Sequence, residues 1–267
     1  MRFYVYKSML DMCNTLKEAV AYMHENNNTD LIEGCLDMLV SINTTLVEYN
    51  LTDFESIAIL SEKLNSASIN LPEIYDEIIN LENEIKTKVK YKLHVLFVAE
   101  LASKWDAMAS VYEAMKKRDD CEVEVVIEPV FRAAKMPDGT VKSEIILNDY
   151  LTPMGIANIS YEQYDFAAKT PDITFFSQPY ESCTVEKFWP ENMAQFTKLV
   201  YLPYYTARTI NKKKSNATYH SFFKAYTEKY AWKIIAQSET MKKHYKSFAS
   251  QKGENVIVTG LPNGITP

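Results

Sequence analysis

Glycine is scarce in this chain, with 6 in 267 residues. There is no GxGxxG and no GxxxxGK[ST], so a glycine-cradled dinucleotide or P-loop phosphate is excluded and no cofactor is expected. The four cysteines, Cys13, Cys35, Cys121 and Cys183, form no CxxC pair. That spacing excludes a zinc ribbon and a dense disulfide framework, and no metal is expected. The four histidines enter no HExxH, and neither a Ser/His/Asp spacing nor a paired-carboxylate motif is present. No apolar run approaches the ~20 residues of a membrane-spanning helix. The N-terminal MRFYVYKSMLDMC lacks the apolar core and cleavage site of a secretory signal. The expectation is a cytoplasmic protein, with peripheral contact at the cytoplasmic face of the membrane as a further option.

What is present is an uneven charge distribution. The chain carries a net charge of -6, yet residues 198–252 hold 12 Lys and Arg against only Glu228 and Glu239. Overall acidity argues against nucleic acid, whereas a local basic stretch suits an anionic partner. A solvated lysine-rich surface is the competing reading.

Apolar residues recur at helical spacing through the first 90 residues. Met9, Cys13, Leu16, Val20 and Met23 form one stripe; Cys35, Leu39, Ile42 and Leu46 form a second. Asn28, Thr29 and Asp30 offer N-caps between them. A shorter third helix is expected after Thr52 or Asp53, and a fourth opens at Pro72 with Ile74, Ile78, Leu81 and Ile85 on one face. Residues 1–90 therefore read as a small α-helical bundle or hairpin, suited to homo-oligomerisation. From Lys92 the pattern changes. LHVLFVA, VEVVIEP, DITFF, LVYLP, KIIAQ and NVIVTG are short apolar runs, most of them separated by helical stretches. Alternation of this kind predicts a doubly wound α/β domain with a mainly parallel sheet over residues 91–262, and a linker beginning at 263–267.

In such a domain ligands bind beyond the carboxyl ends of the strands, where strand order reverses. After the first strand, Ser103 is placed to cap a helix whose amides could receive an anion, with Lys104 helping. After DITFF, Pro179 fixes the backbone and leaves Gln178 and Tyr180 to face a cleft. After LVYL, Pro203 ends pairing and presents Tyr204 and Tyr205, followed by Arg208, Lys212, Lys213 and Lys214. Aromatic faces beside guanidinium and ammonium groups suit a polyol-phosphate, a sugar-phosphate polymer or an anionic lipid surface. Further on, HSFFKAYTEKYAWK interleaves aromatic and basic residues as an interfacial helix would. His94 falls inside the first strand and reads as a hydrogen-bonded core residue; His220 lies in the basic stretch.

KWDAMASVYEAM, VEVVIEP, PDITFFSQPY, LVYLPYY, WKIIAQSETMKKHY and NVIVTGLP, in that order, resemble the N-terminal half of the CDP-glycerol glycerophosphotransferase family, enzymes that build teichoic acid and related glycerol-phosphate polymers. The resemblance implies a Rossmann-like half of a GT-B fold that handles the acceptor. CDP-glycerol would bind a second, C-terminal half that residues 1–267 do not include. A chain without that half is expected to show no turnover. Many family members carry a His-Gly pair where this chain has Tyr204 and Tyr205. Tyrosine, with a pKa near 10, is a poorer base than histidine near 6.5; His220, which like His244 sits in the basic region without a motif partner, is named as a substitute catalytic base that nothing local demands. Lys104, Gln178, Tyr180, Tyr204, Tyr205, Arg208, Lys212, Lys213 and Lys214 would bind the anionic acceptor. Two alternatives stay open: half of a GT-B glycosyltransferase or nucleotide-sugar epimerase, and a noncatalytic interaction scaffold.

Overall fold

The computed structural model describes residues 1–135, 141–180, 183–204 and 226–260. The chain divides into two compact units, Met1–Lys92 and Leu93–Pro267.

The first unit is helical. Its helices are α1 (Phe3–Asn26), α2 (Ile32–Glu48), α3 (Glu55–Leu64) and α4 (Leu71–Lys88). The stripes legible in the sequence are its core: Met9, Cys13, Leu16, Val20 and Met23 of α1 pack with Leu39, Ile42, Leu60, Ile74, Ile78, Leu81 and Ile85. Each fully buried aliphatic side chain of this kind contributes roughly 1.5–3 kcal/mol. α1 ends where Asn27 adopts φ 50°, a left-handed conformation that asparagine tolerates. The expected caps before α2 are not used, because Leu31 occupies the N-cap position and no side chain accepts there. α4 is capped reciprocally: Asn70 accepts from the Glu73 amide while its Nδ2 donates to Glu73 Oε1 at 2.6 Å. Lys17 and Lys86 both donate to Glu82, tying α1 to α4. Among the described residues no helix is long and apolar enough to cross a membrane.

The second unit is a doubly wound α/β domain. Its described strands form a seven-stranded parallel sheet in the order β5-β2-β1-β6-β7-β8-β9. These are β1 (Leu93–Ala99), β2 (Cys121–Ile127), β5 (Ile159–Ser160), β6 (Ile173–Phe176), β7 (Lys198–Tyr201), β8 (Lys233–Ala236) and β9 (Val256–Val258). All six runs read as strands from the sequence are present. Two elements were not anticipated: the two-residue edge strand β5, and an antiparallel hairpin of β3 (Val130–Lys135) with β4 (Val141–Ile146) that stands apart from the main sheet.

Strand alternation sends side chains to two cores. Val95, Phe97, Ala99, Val125, Ile127 and Phe175 share one face with Trp105, Met108 and Tyr112 of α5 (Ala102–Lys116). Trp105 and Tyr112 therefore pack onto the sheet, their rings 6.2 and 5.7 Å from that of Phe97. Leu96, Val98, Val126, Phe176 and Tyr201 fill the other face with Phe166, Phe188, Met241 and Tyr245. Burial on both faces explains why these strands read as continuous apolar runs. The helix Glu239–Phe248 is capped by Ser238, whose hydroxyl accepts from the Met241 amide. His94 is buried on β1 with Nε2 2.7 Å from Glu124 Oε2, the hydrogen-bonded core histidine expected of it.

Candidate functional site

The chain leaves β1 in one direction through β2 to β5, and in the other through β6, β7, β8 and β9. Strand order thus reverses between β1 and β6, and the crevice of a doubly wound sheet lies beyond their carboxyl ends. The ladder registers pair Ala99 with Ile127 and Val98 with Phe176. One residue further, the Glu128 amide still donates to Ala99 O at 2.8 Å, and the Leu202 amide to Phe176 O at 2.9 Å. Counting on by register puts Glu128, Glu100 and Gln178 side by side across three strands, just past the last apolar pair. They share the parity of Val126, Val98 and Phe176.

All three are buried, at 3%, 2% and 6% exposure. Burying two carboxyl groups is costly unless each is paired or neutral. Glu100 is paired. Lys104, from the first turn of α5, donates its ammonium to Glu100 Oε2, and Gln178 Nε2 donates to both Glu100 oxygens at 2.9 Å. Gln178 is itself oriented by the Tyr180 amide, which donates to its Oε1 at 3.2 Å. Lys104 also lies 4.7 Å from the Tyr204 ring centroid, over its face.

Glu128 is handled differently. Thr184 donates its hydroxyl to Oε2, which favours the ionised form, but burial opposes it more strongly and the neighbouring Glu100 charge adds to the opposition. The Glu128 carboxyl is pushed up to about 8. Burial, with Glu100 and Glu128 nearby, also raises Tyr150, whose hydroxyl is buried without a hydrogen-bond partner among the described residues. Tyr204 is raised by burial first, then by Tyr180 and Glu100. The site therefore holds one ion pair and one carboxyl group that burial keeps protonated well above the usual carboxylate range.

An open groove of about 830 Å³ lies elsewhere in this unit, and Glu128 is not among its lining residues. Its lining includes Tyr161, whose amide donates to Ile127 O at 3.0 Å, and Val185, the residue after Thr184. Lys187, Phe166 and Phe196 form other parts of its wall.

Four of the residues singled out from the sequence, Lys104, Gln178, Tyr180 and Tyr204, come together here. Lys104 departs from its expected role, since its ammonium is committed to Glu100 and is not turned to solvent. Ser103 is not a cap: the N-cap position of α5 is Leu101, and no side chain accepts there. Tyr205, Arg208, Lys212, Lys213, Lys214 and His220 lie outside the described residues. Glu100 and Glu128 went unnoticed, although a signal existed, because three apolar strands end in an acid, an acid and an amide: FVAE, VVIE and FFSQ. Among the described residues, no group of three or more His, Cys, Asp or Glu is arranged to hold a metal ion.

Fold and site together define a doubly wound α/β unit with a buried row of two carboxyl groups and an amide at its switch point. No protein-family model and no curated protein matches the sequence. Among solved structures the chain is similar to the crystal structure of UDP-N-acetylglucosamine 2-epimerase, with 17% identity and a TM-score of 0.39, over 64% of this chain and 49% of that one. The chain thus spans about half the length of the structure it matches, and a likeness at this level bears on neither family nor activity.

Proposed function

We propose that the α/β unit is the acceptor-handling half of a GT-B-type transferase resembling the CDP-glycerol glycerophosphotransferases, and that Glu128 takes the proton from the acceptor hydroxyl. The observation that carries this reading is the row Glu128, Glu100 and Gln178 at the strand reversal. A general base works best with a pKa near the operating pH. Glu128, at about 8, meets that condition, which the tyrosines beside it do not.

In the full reaction the acceptor oxygen would attack the β-phosphorus of CDP-glycerol. An O–P bond forms, the bond to CMP breaks, CMP leaves with the electron pair, and the acceptor proton passes to Glu128. The Glu100–Lys104 pair holds local charge balanced, so ionising Glu128 adds a single negative charge to the site. Carboxyl and amide groups of this row suit polyol or sugar hydroxyls better than phosphate, since two acids face one lysine. The basic stretch from Arg208 to Lys214 remains the proposed holder of the anionic polymer, and Met1–Lys92 the proposed self-association unit. The paired carboxyls also suit a nucleotide-sugar epimerase half, where one group removes and another returns a proton at a sugar carbon.

The test is binding of glycerol 3-phosphate, short glycerol-phosphate oligomers, CMP and UDP-sugars to the 267-residue chain, by calorimetry. Preference for the polyol-phosphates, with weaker binding above pH 8 that Glu128→Gln makes pH-independent, supports the transferase reading. Preference for UDP-sugars would replace it with the epimerase one.

A further inference from the structure

Ser177 follows the last residue of β6, directly before Gln178. It is 1% exposed, and its hydroxyl has no hydrogen-bond partner among the described residues. A buried hydroxyl left unpaired costs about 1–3 kcal/mol, so its place in a strand end calls for a function. Alternation sets its direction. Phe175 lies in the core beneath α5 and Phe176 in the opposite one, so Ser177 turns back to the α5 side. Register sets its neighbour: counting on from Val98 and Phe176, Ser177 stands beside Ala99. Two residues after Ala99 is Leu101, the N-cap of α5.

The start of α5 is built to receive negative charge. Its 15 residues sum their peptide dipoles toward this end. Its first turn contains no acidic residue, and its N-cap provides no accepting side chain, so the amides of Ala102 and Ser103 keep no side-chain acceptor. Lys104 follows in the same turn, and its pairing with Glu100 cancels the nearest carboxylate. A buried serine hydroxyl one residue past β6, without a hydrogen-bond partner among the described residues, and helix amides without a side-chain cap one strand away together supply donors for a tetrahedral anion.

We propose that the N-terminus of α5 and the Ser177 hydroxyl form a phosphate subsite. It lies on the α5 side of the same strand ends that carry Glu128 on the other parity. A phosphate there and a hydroxyl at Glu128 would anchor two parts of one polyol-phosphate. Only the identity of the molecule that carries the phosphate rests on the transferase reading; the anion site itself does not.

Inorganic phosphate and glycerol 3-phosphate are titrated into the full chain while the Ala102 and Ser103 amides are followed by NMR. Both amides are expected to shift, and Ser177→Ala to weaken phosphate binding about tenfold or more, as loss of a hydrogen bond to a charged group implies. Ala102→Asp places a carboxylate at the helix start. It is expected to abolish phosphate binding while leaving the melting temperature unchanged or higher, because an acid is favourable there. Unmoved amides, or both variants binding phosphate as the parent does, would overturn the subsite. Glu128→Gln is expected to retain phosphate binding. Phosphate-shifted α5 amides in a chain that prefers UDP-sugars to polyol-phosphates therefore sink the functional reading alone, and a preference for polyol-phosphates with unmoved α5 amides sinks this subsite alone.

Discussion

Gln178 and Glu100 stand 78 residues apart in sequence, yet one amide nitrogen of the first reaches both carboxylate oxygens of the second at 2.9 Å. This contact joins the exits of β1 and β6 across the reversal of strand order, and it fixes the carboxylate beside which Glu128 holds its proton.

Removing that amide leaves Glu100 with Lys104 alone. Gln178→Leu is expected to destabilise the protein by about 1.5–3 kcal/mol, the range for hydrogen bonds to a charged group. Urea unfolding at pH 7 measures it, and an unchanged midpoint would show that the contact contributes nothing.

Lys104→Met strips the buried Glu100 of its cation and is expected to cost about 3–5 kcal/mol. Glu100→Gln in the same chain should restore most of the loss, because no buried charge then remains unpaired. A double-mutant cycle read by thermal unfolding checks this, and additive losses would contradict the pairing.

Glu228 is a second buried acid, 3% exposed, with neither oxygen hydrogen-bonded among the described residues; burial pushes it up to about 9. A carboxyl raised in the folded state keeps its proton there while the unfolded chain releases it near 4.5. Stability from this group is therefore complete below pH 4.5 and falls as pH rises toward 9, by up to ~1.4 kcal/mol per pH unit. Glu228→Gln is expected to flatten that fall and to raise the urea midpoint at pH 8 relative to the parent. Equal pH profiles for the two proteins would refute it.

Asn70 closes the start of α4 by accepting from the Glu73 amide. Asn70→Ala is expected to lower the stability of the helical unit by about 1 kcal/mol, while Asn70→Asp should cost little. Circular dichroism melts of the two variants separate capping from a general surface effect.

The helices of Met1–Lys92 were legible because their apolar residues repeat at three and four, a local signal that needs no partner. The parallel strands were legible for a related reason: burial on both faces makes each an unbroken apolar run. β3 and β4 were missed although Asp138-Gly139 lies between them in the sequence, since VFRAAK and VKSEII are too polar to stand out as strands. The acid-base row was hidden more deeply. FVAE, VVIE and FFSQ each show a polar residue at a strand end, but only the inter-strand register brings Glu100, Glu128 and Gln178 into one line, and register is not a local property of any of them.

The central claim is that Glu128 exchanges a proton near neutral pH at the acceptor site. The most direct measurement is a carbon NMR titration of glutamate side-chain carboxyls in the full chain, with Glu128→Gln to assign the resonance. The account predicts one carboxyl titrating near 8 that vanishes in the variant and shifts when glycerol 3-phosphate is added. A Glu128 carboxyl that titrates in the ordinary range near 4.3, unmoved by the ligand, would contradict it.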